Sequence, residues 1–249
     1  MYVCITHRIF ASVLTLAQTF VTYPDIGRVA FANLHYEKPI ANAPVFGQWN
    51  NITAMLDTTG LRQMSGMANL LNEGAPEPGA YQTWWDINLK MDRDLLQFIV
   101  EVFFKKEATV ADVEKILFII AVQPITEGAL KAMQRNGGNA LGLNPDDGPY
   151  FVMNFNAAWK NKENEPKFHK VISSVINTVK AEAKRRGLDN NFVYLNYASE
   201  YQDPIGSYDA ANKQRLISIS KKYDPAQVFQ HLQPGGFKLI KGAPNPSTP

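Results

Sequence analysis

Cysteine is nearly absent from this chain, since Cys4 is the only one among its 249 residues. A single thiol can form neither an intrachain disulfide nor a multi-thiolate zinc site, so both kinds of staple are excluded. The four histidines are scattered without the spacing of metal ligands, and no metal site is predicted. With 45% apolar residues, the chain is expected to be held together by an ordinary hydrophobic core.

The sequence also lacks a charge excess and any long apolar run. Its 25 Lys and Arg residues against 23 Asp and Glu residues give a net charge of +2, so a nucleic-acid partner is not expected. No run approaches the roughly 20 apolar residues of a membrane span, and no membrane partner is expected. The apolar run after Arg8 resembles a weak signal-peptide core, but Gln18 follows it and the cleavage context is poor. The compartment is therefore left unassigned.

The residue pattern predicts an α+β fold with an antiparallel sheet of about six strands and helices packed on one face. Two runs in which apolar and polar residues alternate, separated by a turn, predict an N-terminal hairpin. The predicted strands are residues 12–21, 28–36, 80–90, 117–125, 150–159 and 192–198. Helices are predicted at residues 64–71, 92–105, 126–136 and 166–187, and after an N-cap at Ser207. Few strands alternate with helices in a βαβ order, which favours antiparallel pairing.

Side-chain alternation gives this sheet one apolar face and one face rich in carboxamides. The strand at residues 150–159 has apolar side chains at its odd positions and carries Asn154 and Asn156 at even ones. Asn88 and Gln123 extend the amide pattern to two other strands. A solvated face would carry many Lys, Glu and Thr side chains, whereas amides suit a surface that orients a neutral ligand. Both interpretations stay open, and these four amides are the candidate substrate contacts.

Several short motifs carry a family resemblance. The C-terminal ones are Tyr194-Leu195-Asn196-Tyr197, Gln202-Asp203-Pro204, Tyr208, Tyr223-Asp224-Pro225 and Phe229. The upstream ones are Leu34-x-Tyr36-x-Lys38-Pro39, Gln123-Pro124-Ile125-Thr126 and Gly137-Gly138-Asn139-Ala140-Leu141-Gly142. Together they resemble the fungal branch of the berberine-bridge-type, FAD-linked oxidoreductases over roughly residues 11–240.

The resemblance implies a domain organisation. Residues 11–190 would be the substrate-binding domain and residues 191–240 the C-terminal segment of the family. Residues 1–10 match nothing, and residues 241–249 are expected to be a disordered tail. The glycine-rich flavin-binding half of the family is not expected in this chain. The resemblance also implies a small alcohol, phenol or secondary-metabolite-like substrate that is oxidised by hydride transfer to FAD.

The same resemblance assigns roles to three residues. Tyr194 would face the substrate as an acid or base, Asn196 would hydrogen-bond the flavin, and Tyr197 would be a ring near the flavin. Alternatively, all three are ordinary core or sheet residues. Together with Trp84, the two tyrosines are expected on an exposed patch of the sheet that receives a flavin-binding domain or drives self-association. A flavin-independent ligand-binding module, a non-redox catalyst and an inactive truncation stay open as alternatives.

Overall fold

The structure, a computed structural model, describes residues 14–23, 27–73, 75–76, 78–114 and 117–247. Within these residues one sheet contains five strands: β1 (Leu14–Tyr23), β2 (Gly27–Tyr36), β3 (Tyr81–Lys90), β4 (Leu117–Ile125) and β5 (Tyr150–Trp159). The strand order is β2-β1-β4-β5-β3, and every neighbouring pair is antiparallel. The α+β class, the antiparallel sheet and the N-terminal hairpin are thus confirmed.

The helices within the described residues lie mainly between and after the strands. They are α1 (Gly47–Asn50), α2 (Met64–Glu73), α3 (Arg93–Glu107), α4 (Glu127–Met133), α5 (Glu165–Arg186), α6 (Ala210–Tyr223) and α7 (Val228–His231). The predicted N-cap Thr126 is confirmed, because its hydroxyl accepts a hydrogen bond from the main-chain N–H of Ala129 at 3.2 Å. Cys4, the unmatched stretch at residues 1–10 and the start of the first predicted strand lie outside the described residues.

Helices α3 and α5 cover one face of the sheet and form the main core with it. The predicted stripe of α5 faces inward, with Phe168, Val175 and Val179 completely buried. The sheet contributes the buried side chains Trp85, Ile87, Leu89, Phe118, Ile120, Val122, Met153, Phe155 and Trp159. Each such apolar side chain stabilises the fold by about 2 kcal/mol relative to exposure. The opposite face, which α3 and α5 leave uncovered, is called the polar face below.

The strand predicted at residues 192–198 is wrong. This stretch is irregular, with a 3-10 turn at Leu195–Tyr197. The free edge of β3 is already engaged, because the Gln202 side-chain amide hydrogen-bonds both main-chain groups of Asp86. The stretch therefore crosses the polar face of the sheet instead of adding a strand to its edge.

The predicted helix cap at Ser207 is also corrected. The N-cap of α6 is Asp209, whose side chain accepts a hydrogen bond from the main-chain N–H of Asn212 at 2.8 Å. The hydroxyl of Ser207 instead accepts from the main-chain N–H of Val193 at 3.0 Å. Ser207 thus connects two parts of the C-terminal segment, and Asp209 caps the helix in its place.

The C-terminal tail, predicted to be disordered from residue 241, makes defined contacts as far as residue 247. Gly242 forms a β-bridge with Lys238. The main-chain N–H of Asn245 donates to the carbonyl oxygen of Glu200 at 2.8 Å. Main-chain pairing with the preceding segment therefore holds this part of the tail, and residues 248–249 lie outside the described residues.

Candidate functional site

A segment of the chain runs over the polar face and around the free edge of β3. Residues 192–208 are called the crossing segment here. On the polar face, Asn88 Nδ2 donates to the carbonyl oxygen of Phe192 at 2.9 Å. Beyond the edge of β3, the ring of Tyr201 stacks on Trp85, with centroids 5.3 Å apart. The crossing segment is therefore attached to both sides of the sheet.

Five side chains come together where the crossing segment lies on the polar face. Gln123 Nε2 donates to Tyr197 Oη at 3.1 Å, and the Tyr197 ring stacks on Trp84 with centroids 6.0 Å apart. Asn196 Nδ2 donates to Tyr194 Oη at 2.8 Å, and the two tyrosine rings meet edge to face at 5.0 Å. We call this set the aromatic–amide cluster. It brings together four residues that the sequence singles out from two distant stretches, plus the tryptophan expected beside them.

The aromatic–amide cluster is open to solvent on one side. Trp84 is 42% exposed. Asn196 is exposed, whereas Tyr194, Tyr197 and Gln123 are half-buried. The predicted exposed patch is thus present at Trp84, while the two tyrosines present only part of their rings. Accessible aromatic surface beside carboxamide groups suits a planar ligand with polar edges.

The other three predicted substrate contacts lie on the same face but are buried. Asn88, Asn154 and Asn156 are each no more than 2% exposed. Asn156 Nδ2 donates to the carbonyl oxygen of Thr83 at 3.0 Å, across the neighbouring strand. The expectation of an open amide surface is wrong at these positions because protein groups enclose them. Their role as substrate contacts stays a prediction.

Asp86 is a site residue that the residue pattern alone does not single out. It is fully buried, two residues from Asn88 and directly across from Asn154 on β5. Its Oδ2 accepts hydrogen bonds from the Tyr194 main-chain N–H, at 2.7 Å, and from Asn88 Nδ2. Its Oδ1 has no partner among the described residues, and the same holds for Asn88 Oδ1 and Asn154 Nδ2. The sequence feature that could have indicated it is a carboxylate in the middle of a strand, on the face that carries the amides.

The environment of Asp86 favours its protonated form. Burial raises the pKa of this carboxyl from 3.8 to about 7, although the hydrogen bonds from Tyr194 and Asn88 act in the opposite direction. A carboxylate in a dry site with one unpaired oxygen loses more hydration than two hydrogen bonds replace. Asp86 therefore changes its charge near neutral pH, directly beneath the aromatic–amide cluster.

Other features of the described residues lie away from this cluster. A cavity of about 350 Å³ sits on the helix side of the sheet, between the end of α3 and α5, lined partly by Lys106, Lys170 and Ser174. No group of three or more His, Cys, Asp or Glu side chains in the described part of the chain is placed to hold a metal ion. None of the helices described is both long enough and apolar enough to cross a membrane.

No protein-family model matches the chain, but curated fungal proteins do. It is 33% identical over 190 residues to the FAD-dependent monooxygenase FUP4 of Fusarium proliferatum, covering 74% of this chain and 37% of that protein. It is 30% identical over 207 residues to the FAD-dependent monooxygenase tpcD of Cochliobolus heterostrophus, covering 79% and 40% respectively. The chain thus spans about two-fifths of the length of these curated relatives.

A solved structure has the same arrangement of elements. The structure of berberine bridge enzyme from Eschscholzia californica superposes with a TM-score of 0.58, covering 97% of this chain and 50% of that one. The sequence identity is 14%, so this likeness concerns the fold. This chain matches about half of that structure.

Proposed function

Because the homologues of this chain are fungal FAD-dependent monooxygenases and its fold is that of part of a berberine-bridge-type oxidase, we propose that it is the substrate-binding portion of an FAD-linked oxidoreductase. The proposed substrate is a small alcohol, phenol or secondary-metabolite-like molecule. The observation that carries the proposal is the aromatic–amide cluster, in which accessible rings and amides meet on a sheet face that no helix of the core covers.

Tyr194 is the proposed acid or base of the site. Its hydroxyl accepts a hydrogen bond from Asn196 Nδ2 at 2.8 Å, and a phenol that accepts one hydrogen bond can still donate its own proton to a ligand. Gln123 orients Tyr197 by donating to its hydroxyl, and the stack on Trp84 fixes the plane of the Tyr197 ring. This chain would therefore bind and orient the substrate and exchange a proton with it at Tyr194 Oη.

The cluster fits one side of a flavin. The stacked rings of Trp84 and Tyr197 offer apolar surface, and the amides of Asn196 and Gln123 offer hydrogen-bonding groups for the polar edge of the ring. The chemistry that FAD supplies when bound is acceptance of a hydride from a substrate carbon. The remaining flavin contacts are proposed to come from a flavin-binding domain, because the chain matches only about two-fifths of each relative.

The exposed sheet patch at Trp84 stays the first proposed contact with that domain, and a second docking surface is proposed on α6 and α7. Helix α6 has no buried residue, although a helix of a compact domain usually hides one apolar stripe. Five apolar side chains of this region are exposed: Ile219, Tyr223, Val228, Phe229 and Leu232. An unpartnered apolar surface of this kind is typical of a protein interface. A flavin-binding domain that packs on it would lie near the crossing segment, because Leu216 of α6 and Tyr194 pack against the same small buried cluster.

A titration of the purified chain with FAD tests the proposal. We expect quenching of the flavin fluorescence and a rise in melting temperature, both weakened in Tyr197→Ala and Asn196→Ala. Met55→Ala is the control, because Met55 is 83% exposed and belongs neither to the cluster nor to the docking surface. Absence of any binding at high FAD concentration would reject cofactor binding by this chain on its own.

The proposed reaction needs a second measurement. The chain with bound FAD is mixed anaerobically with candidate phenols and alcohols, and the loss of oxidised-flavin absorbance is followed. We expect bleaching that Tyr194→Phe slows at least tenfold while FAD affinity changes little, since a lost acid or base typically costs a factor of about 10² to 10⁴. Equal bleaching rates for the two proteins would assign the proton transfer to another group.

A further inference from the structure

Asp86 connects the sheet to the crossing segment at two separate points. On the polar face its carboxylate accepts the main-chain N–H of Tyr194 at 2.7 Å. At the edge of β3 its own main-chain N–H and carbonyl are paired with the side chain of Gln202, at 3.0 and 2.6 Å. The residues between these points carry Asn196 and Tyr197. A single buried residue of the sheet therefore fixes both ends of the turn that carries the proposed site.

Ionisable groups near Asp86 come from α5 and from the crossing segment. Lys180 of α5 lowers the pKa of Asp86, and the effect of burial is larger. The crossing segment contributes the phenols of Tyr194 and Tyr208. The pKa of Tyr208 is raised by its own burial first and then by the charges of Tyr194 and Asp86. Strand β5 presents the neutral side chain of Asn154. Among these groups, Lys180 is the one whose charge lowers the pKa of Asp86.

We propose that Asp86 is the positioning residue of the site, and that its buried carboxylate holds Tyr194 in place through the main chain. Its catalytic consequence rests on the function proposed above, whereas the positioning itself needs no flavin. Asp86 acts through Tyr194 and does not reach the ligand, because its side chain is fully enclosed. Hydrogen bonds to a carboxylate are shorter and about twice as strong as those to a neutral acceptor. Ionisation of Asp86 therefore tightens the hold on Tyr194.

The test follows the Tyr194 amide proton of the full chain by NMR between pH 4 and 9. We expect its resonance to move downfield as the pH rises, with a midpoint near pH 7. The side-chain carboxyl carbon resonance of Asp86 should titrate with the same midpoint. Asp86→Asn, which keeps an acceptor oxygen but cannot ionise, should abolish this movement. The Leu95 amide, which donates to Asp92 Oδ1 at 2.7 Å, is the internal control, and Asp86→Asn should leave its pH response unchanged.

The outcomes separate this proposal from the proposed function. A Tyr194 amide that shows no titration between pH 4 and 9, or that titrates unchanged in Asp86→Asn, overturns the positioning role. Since the wild-type titration needs no variant, a variant that fails to fold leaves the test intact. A titrating amide together with a wild-type chain that never binds FAD supports the positioning role while rejecting cofactor binding by this chain. Where FAD does bind, Asp86→Asn should weaken that binding at pH 8, and Asp86→Glu should restore a titrating Tyr194 amide.

Discussion

The side-chain amide of Gln202 pairs with the main chain of Asp86 as a peptide group of another strand would. Its Oε1 accepts from the Asp86 N–H at 3.0 Å, and its Nε2 donates to the Asp86 carbonyl oxygen at 2.6 Å. The same Oε1 also accepts from the main-chain N–H of Ser199 at 3.0 Å. An edge strand must satisfy or shield such main-chain groups. Here a side chain of the crossing segment both closes the sheet edge and anchors the segment.

Removal of this amide is expected to destabilise the protein measurably. Gln202→Ala leaves three main-chain groups without their partner, which predicts a loss of about 2 to 3 kcal/mol in the free energy of unfolding. Gln202→Glu keeps one acceptor oxygen but places a second oxygen against the Asp86 carbonyl oxygen, so it should destabilise the protein as well. Chemical denaturation followed by tryptophan fluorescence measures both. The control is Gln97→Ala, which removes only an exposed hydrogen bond to Glu101, and equal losses at the two glutamines would contradict the anchoring role.

Asp86 should give the protein a specific pH dependence of stability. Its pKa rises from 3.8 to about 7 on folding, so between these values the native state holds a proton that the unfolded state has released. The free energy of unfolding therefore falls as the pH rises from about 4 to 7, by roughly 4 kcal/mol at most. Asp86→Asn should remove this fall, whereas Asp94→Asn at an exposed helix position should keep it. Unfolding curves at pH 4.5 and 7.5 decide the matter.

Residue spacing is sufficient to predict a helix or strand where the apolar periodicity matches the face that is buried. The inward stripe of α5 and the alternation along β5 both follow from residue spacing, and both are confirmed by Phe168 and Phe155 in the core. Residues 192–198 fulfil the local preferences of a strand equally well. They form none because a ladder needs a free partner, and the β3 edge is occupied by Gln202, which is distant from β3 in sequence. Such an edge contact is invisible to any local rule.

Local residue spacing also predicts only part of the candidate site. Alternation places Asn88, Asn154 and Asn156 on one face, and the strand register confirms that they share it. It does not reveal what covers that face, so enclosed amides were expected to be open ones. For the same reason, residue spacing does not single out Asp86. Its altered pKa arises from burial under a segment that lies more than a hundred residues further along the chain.

Gly142 should be much less tolerant of a side chain than Gly187. Both have a positive φ, +73° and +69°, which costs roughly 1 kcal/mol for alanine. At Gly142 an added Cβ would also lie 2.9 Å from the carbonyl oxygen of Tyr208, whereas Gly187 has open space around it. Gly142→Ala is therefore expected to lower the melting temperature clearly more than Gly187→Ala. Similar thermal shifts for the two variants would mean that the main chain at Tyr208 can move aside.

The exposed surface of α6 and α7 should govern the association of the isolated chain. Phe229 and Leu232 are 71% and 75% exposed, and their burial against a second molecule would remove apolar surface from water. We expect concentration-dependent self-association in sedimentation velocity, and a shift towards monomer in the double variant Phe229→Ser, Leu232→Ser. Met55→Ser is the matched control, because Met55 is 83% exposed in a loop elsewhere. A double variant that associates like the wild type would place the interface on another surface.

His169 predicts a pH effect of the opposite sign to that of Asp86. Its imidazole is packed against Tyr201 and Trp85, with centroids 5.1 and 6.2 Å away, and is 6% exposed. Burial lowers the pKa of His169 below its ordinary 6.5, although the charges of Glu165 and Glu200 act in the other direction. Below pH 6.5 the unfolded state therefore binds a proton before the native state does, so the free energy of unfolding rises as the pH increases towards 6.5.

The two buried groups partly cancel in the wild-type protein, and single variants should separate them. His169→Gln removes the rising contribution, so stability should fall more steeply between pH 4 and 7 than in the wild type. Asp86→Asn removes the falling contribution, so only that of His169 remains of the two. The free energy of unfolding should then increase with pH over the same range. His231→Gln, at an exposed position, is the control and should follow the wild type. The free energy of unfolding of these proteins is measured at four pH values, which gives its slope against pH. An equal slope for His169→Gln and the wild type would show that burial does not disfavour protonation of this imidazole.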